Sequence, residues 1–163
     1  MRKYLKIYGY VYGSKRLLAT LRVLDLIGVI LTALIYAFAL IFTGISEQSL
    51  IMPIRLIFST GIPFLAVSLM RRLLDMPRPS KVFLLDFLPN KKEGESFPSR
   101  HVFSVFSIGT ALCFVSTLPG ILVLALGVVI ALCRVLLGHH FVRDVVAGML
   151  IGIGCSVLGM LIL

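Results

Sequence analysis

The chain has 163 residues, 59% of them hydrophobic, with a mean hydropathy of +1.06 and a formal net charge of +9. A soluble domain of this size is nearer half apolar, so the composition excludes an ordinary water-soluble enzyme. Apolar runs of about 20 residues, the length that crosses a bilayer, recur along the chain and leave no room for a separate soluble domain. The cations flank these runs rather than forming a soluble basic face. The charge therefore points to anionic headgroups or substrates and not to nucleic acid. Cys113, Cys133 and Cys155 lie in apolar stretches with no metal-ligand spacing and read as free thiols.

The first 22 residues hold Arg2, Lys3, Lys6, Lys15, Arg16 and Arg22 and no acid. The apolar run that follows is too long for a cleaved signal and lacks a small-residue cleavage site. Within residues 1–20, Tyr4, Leu5, Ile7, Tyr8, Tyr10, Val11 and Tyr12 alternate with cations. That suits an interfacial helix, and suits a loosely ordered basic tail equally. A first span is expected at 23–42 and a second at 50–70. Arg55 lies inside the second, near one end, where an arginine snorkels to the headgroups. Residues 71–97 form the one long polar stretch, with Pro77, Pro79 and Pro89. A loop of that length in so small a protein is usually functional. A third span is expected at 98–116, with Pro98 as a first-turn residue, a fourth at 121–137 and a fifth at 144–163. In the fifth, Gly148-x3-Gly152 permits close helix packing, or reflects only the tolerance of membrane helices for glycine. The expected architecture is an all-α polytopic membrane bundle of about five transmembrane helices, one domain over 1–163.

Three polar patches border these spans: Arg71-x6-Arg78-Pro79, Pro98-Ser99-Arg100-His101 and Arg134-x5-His140-x3-Asp144. Arg71 ends span two, Pro98 to His101 opens span three, Arg134 ends span four and Asp144 opens span five. In alternating helices these four ends share one side of the membrane. Their chemistry converges too. A phosphate dianion needs several fixed donors, and arginine forks match its oxygens. Arg71, Arg78 and Arg134 can supply them, with Ser99 and the backbone N–H groups at a helix start. His140 and His101 are the candidate nucleophile and acid, since a histidine near neutral pH can do either job. Asp144, four residues past His140, lies on the same helical face and can orient its ring. His139 should point elsewhere and be structural.

These patches resemble the signature of the type 2 phosphatidic acid phosphatase superfamily: Lys-x6-Arg-Pro, Pro-Ser-Gly-His and Ser-Arg-x5-His-x3-Asp. The resemblance covers residues 71–144. It implies that His140 attacks phosphorus to form a phosphohistidine, that Asp144 holds it, and that His101 protonates the leaving oxygen and later activates water. It assigns phosphate binding to Arg71, Arg78, Ser99 and Arg134, and implies that no metal or other cofactor is needed. Three positions depart from the pattern. Arg71 replaces lysine and keeps the charge. Cys133 replaces serine and weakens one donor to the phosphate. Arg100 replaces glycine and puts a bulky cation at the pocket mouth, where it contacts the substrate headgroup or the displaced phosphate, or turns outward to lipid headgroups. Typical bacterial members have six spans, one more than counted here.

The implied activity is hydrolysis of a lipid phosphate: phosphatidylglycerophosphate, phosphatidic acid or a polyprenyl pyrophosphate. A non-catalytic lipid-phosphate binder or transporter would need only the cations, so His140, His101 and Asp144 argue against it. A vanadate-dependent haloperoxidase would be soluble. Sidedness carries a conflict, because the basic N-terminal segment favours a cytoplasmic site while the resemblance implies an extracytoplasmic one.

Overall fold

The computed structural model describes residues 2–46, 48–83 and 94–163. It contains seven helices among the described residues: α1 (Arg2–Gly13), α2 (Lys15–Ser46), α3 (Ile51–Leu74), α4 (Pro79–Val82), α5 (Arg100–Cys113), α6 (Thr117–Leu136) and α7 (Val142–Ile162). The part of the expected active-site loop at 84–93 lies outside the described residues. Four helices, α2, α3, α6 and α7, are long and apolar enough to cross a membrane. Their outer faces carry exposed large apolar side chains, among them Leu34, Phe38, Leu65, Leu132 and Leu150. A water-soluble protein would not expose so much contiguous hydrocarbon. This is the polytopic helical bundle that the composition requires.

The expected third span differs from the rest. α5 has 14 residues, about 21 Å at 1.5 Å per residue, which falls short of the roughly 30 Å hydrocarbon core. It packs against α7, α6, α3 and α2, and Val102, Phe103, Val105, Phe106, Ala111 and Leu112 are all buried. Only lipid-facing helices must match the bilayer, so a helix enclosed by four others can be shorter. Its start also differs from expectation. Ser99 is the N-cap, in extended conformation, and Pro98 stands outside the helix.

α5 and α7 meet backbone to backbone. A Cβ at Gly148 would fall 2.6 Å from the Ser99 carbonyl oxygen, and one at Gly152 would fall 2.6 Å from that of Phe103. Ser156 adds a bond from its hydroxyl to the Ser107 carbonyl, at 2.8 Å. The glycine spacing is thus a packing device. Arg55 departs from expectation as well: its guanidinium donates to the Met160 carbonyl at 2.8 Å, closing an orphan acceptor near the end of α7 rather than reaching headgroups.

α1 is a docked amphipathic helix. Tyr8 and Val11 are buried while Tyr10 faces out, and the Tyr12 hydroxyl donates to the Leu137 carbonyl at 3.0 Å. Tyr4 sits 5.9 Å from the Phe83 ring and 5.8 Å from that of Phe141. The N-terminal segment is therefore fixed at the end of the bundle where α6 stops and α7 begins.

The two glycine environments in α7 give a direct test. Gly148→Val forces α5 and α7 apart and should destabilise by about 1–3 kcal/mol or more, the range for overpacking. A Cβ at Gly154 would meet nothing within 4 Å, so Gly154→Ala should leave the melting temperature in detergent unchanged. Equal melting of both variants would refute the close contact.

Candidate active site

The segment from Gly94 to Ser99 is held by the two arginines of the first patch. The Arg71 guanidinium donates to the Pro98 and Glu95 carbonyls, and Arg78 Nε donates to the Gly94 carbonyl at 3.0 Å. The Asp75 carboxylate accepts the Glu95 N–H at 3.1 Å, and the Met76 carbonyl accepts that of Ser96 at 2.8 Å. Both arginines are buried. Each spends part of its hydrogen-bonding capacity on carbonyl dipoles, which lower the cost of desolvation without cancelling the charge.

Ser96 joins this segment to α7. Its carbonyl lies 2.8 Å from His140 Nδ1, and its hydroxyl donates to Asp144 Oδ2 at 2.6 Å. A carbonyl can only accept, so Nδ1 carries the proton and Nε2 of the neutral ring keeps its lone pair. Asp144 Oδ2 stands 3.8 Å from Nδ1, too far for a hydrogen bond. The Ser96 carbonyl thus takes the Nδ1 proton, while Asp144 stands beside the ring and acts on it through space. The same Oδ2 accepts the Phe141 N–H at 3.0 Å, which places the carboxylate in the first turn of α7, where the helix dipole favours it. The Ser99 N–H closes the set by donating to the Asp144 carbonyl at 2.8 Å.

His140 and His139 leave α6 through a turn at Gly138, whose φ of 69° is the left-handed region open to glycine. Burial pushes the His140 imidazole below its ordinary 6.5. The Asp144 contact opposes this, and Arg78 and Arg71 add to it.

A cavity of about 240 Å³ collects the patches. Arg71, Arg78, Arg100 and Arg134 line it together with His101, His139 and His140. Among the described residues no carboxylate is in that lining, so four arginines face one small space, which is an anion site by charge alone. Ser99 is buried with no hydrogen-bond partner for its hydroxyl among the described residues, and it lies behind the lining rather than in it. His139 does not point elsewhere. It is part of the wall, and burial, reinforced by Arg134 and His140, holds it to about 4. It is therefore neutral near pH 7. Cys133 packs instead with Val11, Leu21 and Leu137, away from the cavity, so the serine-to-cysteine departure costs no phosphate donor. No cluster of three metal-ligating side chains occurs among the described residues.

Two site residues escaped the sequence reading. Ser96 stands just before the second patch, and nothing in its identity marks it as the bridge. Asp25 was legible in principle, being the only acid in residues 1–46 and lying within an apolar run, where an acid is a functional signal. Its Oδ1 stands 2.9 Å from Arg134 Nε, so α2 supplies the counter-ion that orients an arginine of α6.

Ser96→Ala removes the hydroxyl bond to Asp144 and keeps the carbonyl that holds His140. Loss of such a supporting bond should lower kcat for phosphate release roughly 10-fold or more, with little change in KM. Wild-type kcat in a folded Ser96→Ala protein would show the hydroxyl to be idle.

Comparison with known proteins identifies the family and the fold. The family model described as the PAP2 superfamily matches residues 52–163. The crystal structure of LpxE from Aquifex aeolicus superposes with a TM-score of 0.71 at 24% identity, covering 95% of this chain and 93% of that one. A PAP2-type phosphatidylglycerolphosphate phosphatase from Bacillus subtilis superposes with a TM-score of 0.61 at 16% identity, covering 96% and 90%. No curated protein matches the sequence. With the family model spanning more than half of its length, and with the same helical bundle, the chain belongs to the PAP2 superfamily.

Proposed function

We propose that the protein is a membrane-embedded phosphatase that hydrolyses a phosphomonoester or diphosphate of a lipid through a phosphohistidine on His140. The observation that carries this reading is the Ser96 carbonyl 2.8 Å from His140 Nδ1, which leaves Nε2 as the free nitrogen, at the wall of a cavity lined by four arginines. An anion binder needs the cations alone. A covalent phosphatase also needs a histidine nitrogen with a free lone pair.

The steps follow from the residues present. The arginines hold the phosphate oxygens and take up charge as it develops. His140 Nε2 attacks phosphorus as the bond to the leaving oxygen breaks, and His101 gives that oxygen its proton. Among four arginines, the bound anion itself stabilises the protonated form of His101. A water molecule then loses a proton to His101 and attacks phosphorus. The P–N bond breaks, its electron pair returns to Nε2, and inorganic phosphate leaves. The lipid character of the substrate rests on the exposed apolar faces of α2, α3, α6 and α7 beside the cavity.

His140→Ala should abolish phosphate release, and His101→Ala should lower kcat about 10²-fold, the usual loss for a general acid. Activity should persist in EDTA and be blocked by vanadate. Substantial turnover by a folded His140→Ala protein would sink the phosphohistidine, and full loss in EDTA restored by Mg²⁺ would sink metal independence.

The pH dependence has a definite sign. Attack needs neutral His140, and burial lowers its pKa from 6.5. The nucleophile therefore stays active as pH falls through 6.5 and is lost only below it. The acid limb of kcat/KM, which reports groups of the free enzyme, should have its midpoint below pH 6.5. A midpoint above 6.5 contradicts the burial argument.

The α1 contacts with Phe83 and Phe141 put the N-terminal segment at the site's end of the bundle. The basic character of that segment supports a site on the cytoplasmic side. A cysteine at exposed Lys81, in a background without Cys113, Cys133 and Cys155, should resist an impermeant maleimide in intact cells. Labelling would place the site outside and favour an extracytoplasmic lipid phosphate.

A further inference from the structure

A second cavity, of about 290 Å³, adjoins the arginine cavity. Val29, Thr32 and Ala33 of α2, Phe64 of α3, and Val105 and Ile108 of α5 give it an apolar wall. Arg100 and His101 are the two residues common to both linings. Arg100 opens α5, and its guanidinium carbon lies 5.6 Å from the centroid of the Phe64 ring. That stacking, a cation–π contact, holds the charge at the junction of the two cavities. Among the described residues, no carboxylate lines either cavity.

The order of groups along a bound lipid follows from this placement. The scissile phosphate occupies the cavity of Arg71, Arg78 and Arg134. The start of the hydrocarbon tail occupies the apolar cavity. Whatever connects them passes Arg100. In a lipid with one phosphate, the connector is an uncharged ester oxygen and the first carbons, which leave a partly desolvated guanidinium without a counter-charge. In a lipid with a second phosphate between the scissile one and the tail, the connector is itself an anion and pairs with the arginine fork.

We propose that Arg100 is a specificity residue that binds a second phosphate on the tail side of the scissile one, so that the preferred substrates carry two phosphates in series. The inference rests on the phosphatase reading and narrows it. The second phosphate can be joined to the first directly, as in a prenyl diphosphate, or through a glycerol, as in phosphatidylglycerophosphate. Both put an anion on the tail side of the scissile phosphate, closer in the first case and farther along in the second.

The test compares kcat/KM in detergent for matched pairs: a prenyl diphosphate against the monophosphate of the same tail, and phosphatidylglycerophosphate against phosphatidic acid with the same acyl chains. The expected result is a preference of about 10-fold or more for the two-phosphate member of at least one pair, and that pair identifies the linkage. In Arg100→Gly and Arg100→Gln the preference should collapse through a raised KM for the two-phosphate lipid, with Arg100→Lys keeping part of it. Two neutralising variants with separate melting controls guard against a folding defect in either. Equal kcat/KM within both pairs, or a preference kept in both neutral variants, overturns the role of Arg100 and leaves the phosphatase reading standing. Failure to release phosphate from all four lipids overturns the phosphatase reading itself, and this inference with it.

Discussion

The contact between α5 and α7 sets everything else at the site. With no side chain at Gly148 or Gly152, the two backbones touch, and the start of α5 is bonded to the start of α7 through Ser99 and Asp144. Two helix N-termini thus lie side by side. One begins with Arg100 and His101, and the other carries Asp144 in its first turn beside His140. A side chain at either glycine would widen this spacing. Lipid offers no hydrophobic drive for helices to associate, so close van der Waals packing and interhelical hydrogen bonds must hold them. The site's geometry is therefore a product of the same contact that holds the bundle.

The second constraint is electrostatic. Arg71, Arg78 and Arg134 are each anchored by something that accepts hydrogen bonds: carbonyls of residues 94–98 for the first two, Asp25 for the third. Carbonyl dipoles fix Arg71 and Arg78 in place without neutralising them, so the cavity stays positive even with Arg134 paired to Asp25. Charge interactions in so enclosed a space act through a lower dielectric than at a soluble surface. The arrangement favours a multiply charged anion. Ser96 complements it from the other side. One residue spends its carbonyl on His140, its hydroxyl on Asp144 and its N–H on Met76, so His140 and the arginine-bound segment are tied together.

Much of this could be read from the residues, for physical reasons. Lipid-facing helices advertise themselves through length and hydropathy, so α2, α3, α6 and α7 were legible. So was the convergence of Arg71, His101, Arg134 and His140, because alternating helices put those ends on one side. What escaped reading depends on the third dimension. The shortness of α5 follows from its enclosure, which hydropathy does not encode. The turn at Gly138 aims His139 into the cavity as well as His140, and adjacency alone suggested the opposite. Cys133 and Arg55 found partners far away in sequence, in α1 and at the end of α7. The Ser96 bridge uses a main-chain carbonyl, which every residue has and no motif can mark.

The brevity of α5 bears on how the protein assembles. A helix of about 21 Å that carries Arg100 and His101 at its start and Ser104, Ser107 and Thr110 along its length makes a poor independent passenger in a bilayer, where buried polar side chains and a short apolar run both disfavour insertion. The four longer helices can enter the membrane one by one on their own hydropathy. α5 can settle only against partners that already shield its polar groups and accept its short span. Its insertion and its docking on α7 are then a single event, and that event also brings His101 to His140. A lesion that keeps α5 from docking therefore removes the site together with the contacts that α5 makes to α7, α6, α3 and α2.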